Sequence, residues 1–152
     1  MEKPKKGFVV DGSTRGNPGP SEYRAMNLAT GEVVFHCKIG IATNNITEFI
    51  ALAHCVLYCI QNDLTTEIYT DSQTALSWLR KKSTNSSLPN NEKTAIARDY
   101  MNRIIAKLKD VNIIYDGIDT KVNDNIIVSK WYSSEYGEIP ADFGYKNNDK
   151  YI

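Results

Sequence analysis

The sequence predicts an α/β protein: a mixed sheet with helices packed on its faces. Two observations carry this reading. Short apolar, β-rich runs bounded by Gly, Pro, Asn and Asp recur along the 152 residues. Longer segments between them repeat apolar residues at three and four spacing, the period of an amphipathic helix. In order, the chain reads as three antiparallel strands, helix, strand, helix, helix, strand and short helix.

"KGFVVDGS" is the first strand, and "RGNPGPS" after it is a loop by its glycines and prolines. "EYRAMNLATGEVVFHCKIG" offers two β-rich segments around Thr30 and Gly31, a hairpin. In "TNNITEFIALAHCVLYCIQN" the residues Ile46, Phe49, Ile50, Ala53, Val56, Leu57 and Ile60 form an apolar helical stripe, with Asn45 or Thr47 able to cap its start. "TEIYTD" is the fourth strand and leads into a short helix marked by Ala75, Leu76, Trp78 and Leu79. "EKTAIARDYMNRIIAKLKD" is a helix whose stripe carries Ile96, Tyr100, Ile104, Ile105 and Leu108. "VNIIYDG" and "NIIVSKWY" both read as strands, the fifth sheet strand being residues 126–131, and the polar "IDTKVND" joining them makes a hairpin or a mobile insertion. Pro140 suits a first helical turn, so a short helix is expected over 140–146.

The length fits one domain, residues 1–152, large enough to bury roughly two thirds of its unfolded surface. The 18 basic residues balance 18 acidic ones, so attraction to nucleic acid would need a local patch or bound cations. Cys37, Cys55 and Cys59 are odd in number, without a CxxC pair or a secretory leader ahead of them, and reduced cytoplasmic thiols are expected. Cys55 and Cys59 beside His54 lack a fourth ligand for zinc, and buried free cysteine is the plainer reading. No apolar run approaches the roughly 20 residues a membrane helix needs. His36, His54, Trp78 and Trp131 are read as structural.

Asp11 closes the first strand in this reading, Asp71 closes the fourth, and Glu48 opens the first long helix. Singly, each acid is an ordinary turn-former or helix-start residue. If the first and fourth strands are neighbours, the three carboxylates meet, and such a cluster is resolved by protons or by cations. Hard oxygen donors without His or Cys point to Mg2+, with Mn2+ as its substitute.

These residues resemble the type 1 ribonucleases H. "VDGSTRGNPGPSEYRA" is similar to the family's first-strand signature, "TNNITEFIAL" to its first-helix entry and "YTDSQTALSWL" to its fourth-strand turn. "KWYSSEYGEIPADFGYK" resembles the end of a bacterial subgroup that carries a Glu and an Asp four apart. The resemblance implies a five-stranded sheet of order 3-2-1-4-5 with helices on both faces. It implies Asp11, Glu48, Asp71 and Asp142 as metal-binding carboxylates and Glu138 as the subgroup's added glutamate. Asn17, Asn44, Asn45 and Gln73 fall where the family contacts bases and sugars. Thr43, Asn45, Ser86, Ser87 and Ser133 match a DNA-phosphate pocket, Thr14 and Gly16 the reading of RNA 2′-hydroxyls, and Lys146 a lysine near the second metal. The resemblance is to a catalytic domain, expected here without the N-terminal hybrid-binding domain or the basic handle of other subgroups, and residues 111–124 look longer than usual.

The implied activity is hydrolysis of the RNA strand of an RNA/DNA hybrid by two cations about 4 Å apart, leaving 5′-phosphate and 3′-hydroxyl ends. Asp11, Asp71 and Asp142 would serve the nucleophile side, and Asp11 with Glu48 the leaving-group side. A monomer without an obligate protein partner is expected. Two competing classes are a DNA-cutting nuclease on the same fold and a non-catalytic hybrid-binding module. The Asn, Gln and Thr set weighs against the first, and the retention of all four carboxylates against the second.

Overall fold

The structure, a computed structural model, describes residues 2–86 and 88–143. Strands β1 (Phe8–Thr14), β2 (Gly19–Asn27) and β3 (Val33–Ala42) form an antiparallel meander. Helix α1 (Asn44–Gln61) crosses to β4 (Thr66–Thr70), which pairs parallel with β1. Helices α2 (Gln73–Lys81) and α3 (Ala95–Leu108) follow, then β5 (Ile113–Tyr115), β6 (Thr120–Val122), β7 (Ile126–Lys130) and the four-residue helix α4 (Ser133–Tyr136). The sheet order is β3-β2-β1-β4-β7-β6-β5. The expected α/β class and the order of the first five positions stand, with β7 in fifth place.

The sheet has seven strands rather than five because β5 and β6 form a hairpin docked on the edge of β7. The Asp116 carboxylate closes its turn, accepting from Ile118 N–H at 2.9 Å and Asp119 N–H at 2.8 Å. A lone two-stranded hairpin is marginal in water. Here Thr120 and Val122 are buried, so pairing with β7 supplies the missing support.

Alternation along β1 sends its side chains to opposite faces of the sheet. Phe8 and Val10 join α1 residues Phe49, Ile50, Val56 and Cys59 in the main core. Val9 instead packs with Tyr69, Trp131, Tyr136, Ile139 and Ala141. Trp131 is fully buried and donates from Nε1 to Gly137 O at 2.9 Å, so the last described segment is drawn onto the sheet. Burying one such large side chain stabilises the fold by about 1.5–3 kcal/mol.

Several local expectations are corrected. Thr43, not Asn45 or Thr47, caps α1: its hydroxyl accepts from Ile46 N–H at 3.3 Å. Ile96 alone leaves the expected stripe of α3, at 57% exposed: Ile104 and Leu108 are buried, Tyr100 and Ile105 pack against the core, and Ala97 and Met101 complete the inward face. No helix starts at Pro140 among the described residues; the final helix is α4, and 139–142 is a turn closed by Asp142 N–H to Ile139 O at 2.9 Å. The carbonyls of Ala141 and Asp142 are taken by the Arg24 guanidinium. Among the described residues no helix is long and apolar enough to cross a membrane.

Candidate metal centre

Asp11 lies in the middle of β1 rather than at its end. The two edges of the strand explain why this position still opens to a ligand. Pairing with β2 continues to Thr14 opposite Ser21, whereas pairing with β4 stops at Val9 opposite Tyr69. Beyond that pair β1 and β4 part, and Asp11 and Asp71 each stand two residues past it, at the same level. Crevices at strand ends of this kind are where open α/β sheets receive ligands.

Glu48, the fifth residue of α1, comes from the helix-covered face. It reaches the acids because Gly12 has no side chain: a Cβ there would stand 2.8 Å from Thr47 Cγ2 and 3.1 Å from Glu48 Oε1. The Gly12 N–H instead donates to Glu48 Oε1 at 2.7 Å. One carboxylate oxygen from each of Asp11, Glu48 and Asp71 lies within 4.8 Å of the other two.

Burial, before mutual repulsion, governs the protonation of this trio. Asp11 is 7% exposed, and burial, followed by the charges of Asp71 and Asp142, pushes its carboxyl up to about 7 against the bonding from Glu48 that lowers it. Glu48 is 4% exposed and raised well above its ordinary range by burial and then by Asp11, with the Gly12 N–H opposing. Asp71 is raised mainly by burial, with Asp142 adding and Lys130 opposing. Glu48 Oε2 is buried without a hydrogen-bond donor. A shared proton or a cation would satisfy it. The donor set is all oxygen, the chemistry that suits a hard divalent ion.

Asp11, Glu48, Asp71, Glu138 and Asp142 line one open cleft of about 680 Å³, together with Gly12, Asn44, Ser72, Ser133 and Ile139. All five acids expected from the sequence are therefore gathered. The other expected residues are more dispersed. Asn17 Oδ1 accepts from Asn44 N–H at 3.0 Å, tying the β1–β2 loop to the start of α1, where Thr43 and Asn45 also lie. Thr14 Oγ1 is within bonding distance of Ser21 Oγ and Thr47 Oγ1, at 3.0 and 3.2 Å. Gly16 has φ +86°, a backbone conformation that suits glycine. Gln73 opens α2 and lines a neighbouring cavity with Arg80, Lys130 and Tyr132. Ser86 Oγ accepts from Leu88 N–H at 3.1 Å, and Ser133 lines the acid cleft. Ser87 and Lys146 lie outside the described residues.

Gly12 and Ser72 were not anticipated. Gly12 could have been suspected from its place directly after Asp11. Ser72 follows Asp71 and caps α2, accepting from Ala75 N–H at 3.0 Å, which fixes the chain just past the acid. His54 and His36 are elsewhere: His54 Nδ1 meets Tyr23 Oη at 2.6 Å and stacks on Phe35, and His36 lies beside Glu22 and Phe143.

Comparison with known proteins agrees with this architecture. The chain is similar to LC11-RNase H1, isolated from compost by a metagenomic approach, at 20% identity and TM-score 0.50 over 85% of each chain. It is also similar to RNase H1 from the halophilic archaeon Halobacterium salinarum NRC-1, at 20% identity and TM-score 0.48, covering 88% of this chain and 90% of that one. A third is the N-terminal RNase H domain of a Mycobacterium tuberculosis protein, at 19% identity and TM-score 0.47 over 86% of each chain. The first of these supports the fold. A family profile described as RNase H matches residues 4–122, a stretch that includes Asp11, Glu48 and Asp71 and ends before Glu138 and Asp142. With most of its length so matched, the chain belongs to the RNase H family.

Proposed function

We propose that this protein is an endoribonuclease that hydrolyses the RNA strand of RNA/DNA hybrids with divalent cations, Mg2+ first and Mn2+ as its substitute. The observation that carries the reading is the convergence of Asp11, Glu48 and Asp71 in an open cleft, with Glu48 Oε2 buried and lacking a donor, in a chain of the RNase H family. No histidine lines that cleft among the described residues, so the acids themselves must organise the chemistry.

Asp11, Asp71 and Asp142 would hold one cation, and Asp11 with Glu48 a second. When bound, such cations lower the pKa of water and stabilise a leaving oxygen, which supports products with 5′-phosphate and 3′-hydroxyl ends. The protein's own contribution is placement. The Gly12 N–H orients Glu48, the β1–β4 parting sets Asp11 against Asp71, and the Ser72 cap holds the chain beyond Asp71. Glu138, on the rim of the same cleft, would tune turnover.

Selectivity would come from reading two strands differently. Asn44 lines the cleft at the start of α1, beside Asn45 and bonded by Asn17, with Thr14 at the end of β1 and the Gly16 backbone on the loop after it. Hydroxyl and amide groups of this kind can test a 2′-hydroxyl and a minor-groove edge. Three free thiols, two of them buried, fit a reducing cytoplasmic setting. The deciding experiment offers the purified protein with Mg2+ an RNA/DNA hybrid, double-stranded RNA, double-stranded DNA and single-stranded RNA in parallel. Cleavage confined to the RNA strand of the hybrid is expected, and cleavage of DNA alone would overturn the reading.

A further inference from the structure

Asp11, Asp71 and Glu48 are placed by strands and a long helix, but Asp142 lies beyond α4, in a turn closed by one backbone bond to Ile139. That turn is held by a side chain from the second strand. Arg24 Nε donates to Ala141 O at 2.7 Å, and its Nη2 donates to Asp142 O at 3.2 Å. The guanidinium also lies 5.1 Å from the centroid of the Phe143 ring. Arg24 is the register partner of Asp11, so its side chain leaves the same face of the sheet beside that acid. Its base is rigid, since β2 is paired with β1 on one side and β3 on the other. A planar guanidinium with its donors in a fixed fork can hold two successive carbonyls at once and so restrict the torsions between them. Asp142 reaches the trio from this clamped turn and lines the cleft with it.

We propose that Arg24 is a positioning residue for the metal centre: by clamping the carbonyls of Ala141 and Asp142 it pre-sets the Asp142 carboxyl as a ligand beside Asp11. The proposal rests on the reading of the cleft as a divalent-cation site. Without the clamp the cation would have to order the turn on arrival, and that ordering would be subtracted from its affinity.

The test measures Mn2+ binding to the full chain without substrate, by calorimetry or electron paramagnetic resonance, alongside kcat and KM on hybrid. Arg24→Ala should weaken Mn2+ by about tenfold, the lower end for loss of a partner that orients a ligand. It should lower kcat while leaving KM for the hybrid near wild type. Arg24→Lys, able to restore one of the two carbonyl bonds, should recover part of the loss. In an Asp142→Asn background, Arg24→Ala should have no further effect on Mn2+. Wild-type Mn2+ affinity in Arg24→Ala, or an equal loss in the Asp142→Asn background, overturns the clamp. If Arg24→Ala does not fold, Arg24→Gln and Arg24→Lys carry the same comparison. Weakened Mn2+ binding in a protein that cuts no hybrid would keep the clamp and remove the proposed activity, whereas a wild type that binds no Mn2+ removes both.

Discussion

The Gly12 N–H donates to Glu48 Oε1 at 2.7 Å, a bond that ties the strand that carries Asp11 to the helix that carries Glu48. It requires a bare Cα, because a methyl group on Gly12 would meet Thr47 Cγ2 at 2.8 Å. Gly12→Ala should therefore push the first turn of α1 outward. We expect a loss of about 1–3 kcal/mol in denaturant unfolding, the usual cost of overpacking. Weaker Mn2+ binding should accompany it, and unchanged stability would show that the helix yields freely.

Asp71→Asn removes a charge from the trio while keeping its size, so the fold should persist and hybrid binding should remain. Losing one cation ligand should cost several kcal/mol of transition-state charge stabilisation, about a thousandfold in kcat. Single-turnover cleavage at saturating Mg2+ checks this, and substantial cleavage in the variant would remove the proposed centre.

The raised acids set a direction for stability against pH. Asp11 moves from 3.8 to about 7 on folding, and Glu48 and Asp71 move the same way, so between those values the folded state holds more protons than the unfolded one. The stability they contribute is fully present below the unfolded value and is lost as pH rises through the folded one. The cation-free protein should thus lose this contribution between pH 3.8 and about 7, and Asp11→Asn should flatten that part of the profile. Because cations compete with protons for these oxygens, Mg2+ should raise Tm more at about pH 8 than at about pH 5. Melting curves of wild type and variant, with Mg2+ and with chelator, test the sign.

Glu138 borders the cleft but stands outside the close trio of Asp11, Glu48 and Asp71. Glu138→Gln should slow turnover without abolishing it, by about tenfold if its part is the lesser one of acid–base or product-release assistance. Comparing a single-turnover rate with the steady-state rate separates these parts: a retained first turnover with slow cycling assigns Glu138 to release, and complete loss of both would make it an essential ligand.

The acids were legible in the sequence because each sits beside a local signal: Asp11 in an apolar strand running into a turn, Glu48 near the start of a periodic helix, Asp71 before a helix cap. The tail was less legible. Its helix was expected from Pro140, yet four residues at Ser133–Tyr136 form it, because Trp131 and Tyr136 bury themselves against Val9 and Tyr69 and fix the chain earlier. Residues 118–124 left hairpin and mobile insertion as alternatives, and the choice was made by an edge of β7 that no local pattern announces.

By itself the sequence determined the element types as far as α3 and the all-oxygen character of the site, since periodicity and residue chemistry are local properties. Only the tertiary structure decided how the acids meet. The parting of β1 from β4 after Val9 and Tyr69 brings Asp11 level with Asp71. The bare Cα of Gly12 admits Glu48, and Arg24 on β2 reaches the turn of Asp142, 118 residues further along the chain. These are contacts between segments distant in the chain, set by register and packing, and the order of residues within any one segment does not encode them.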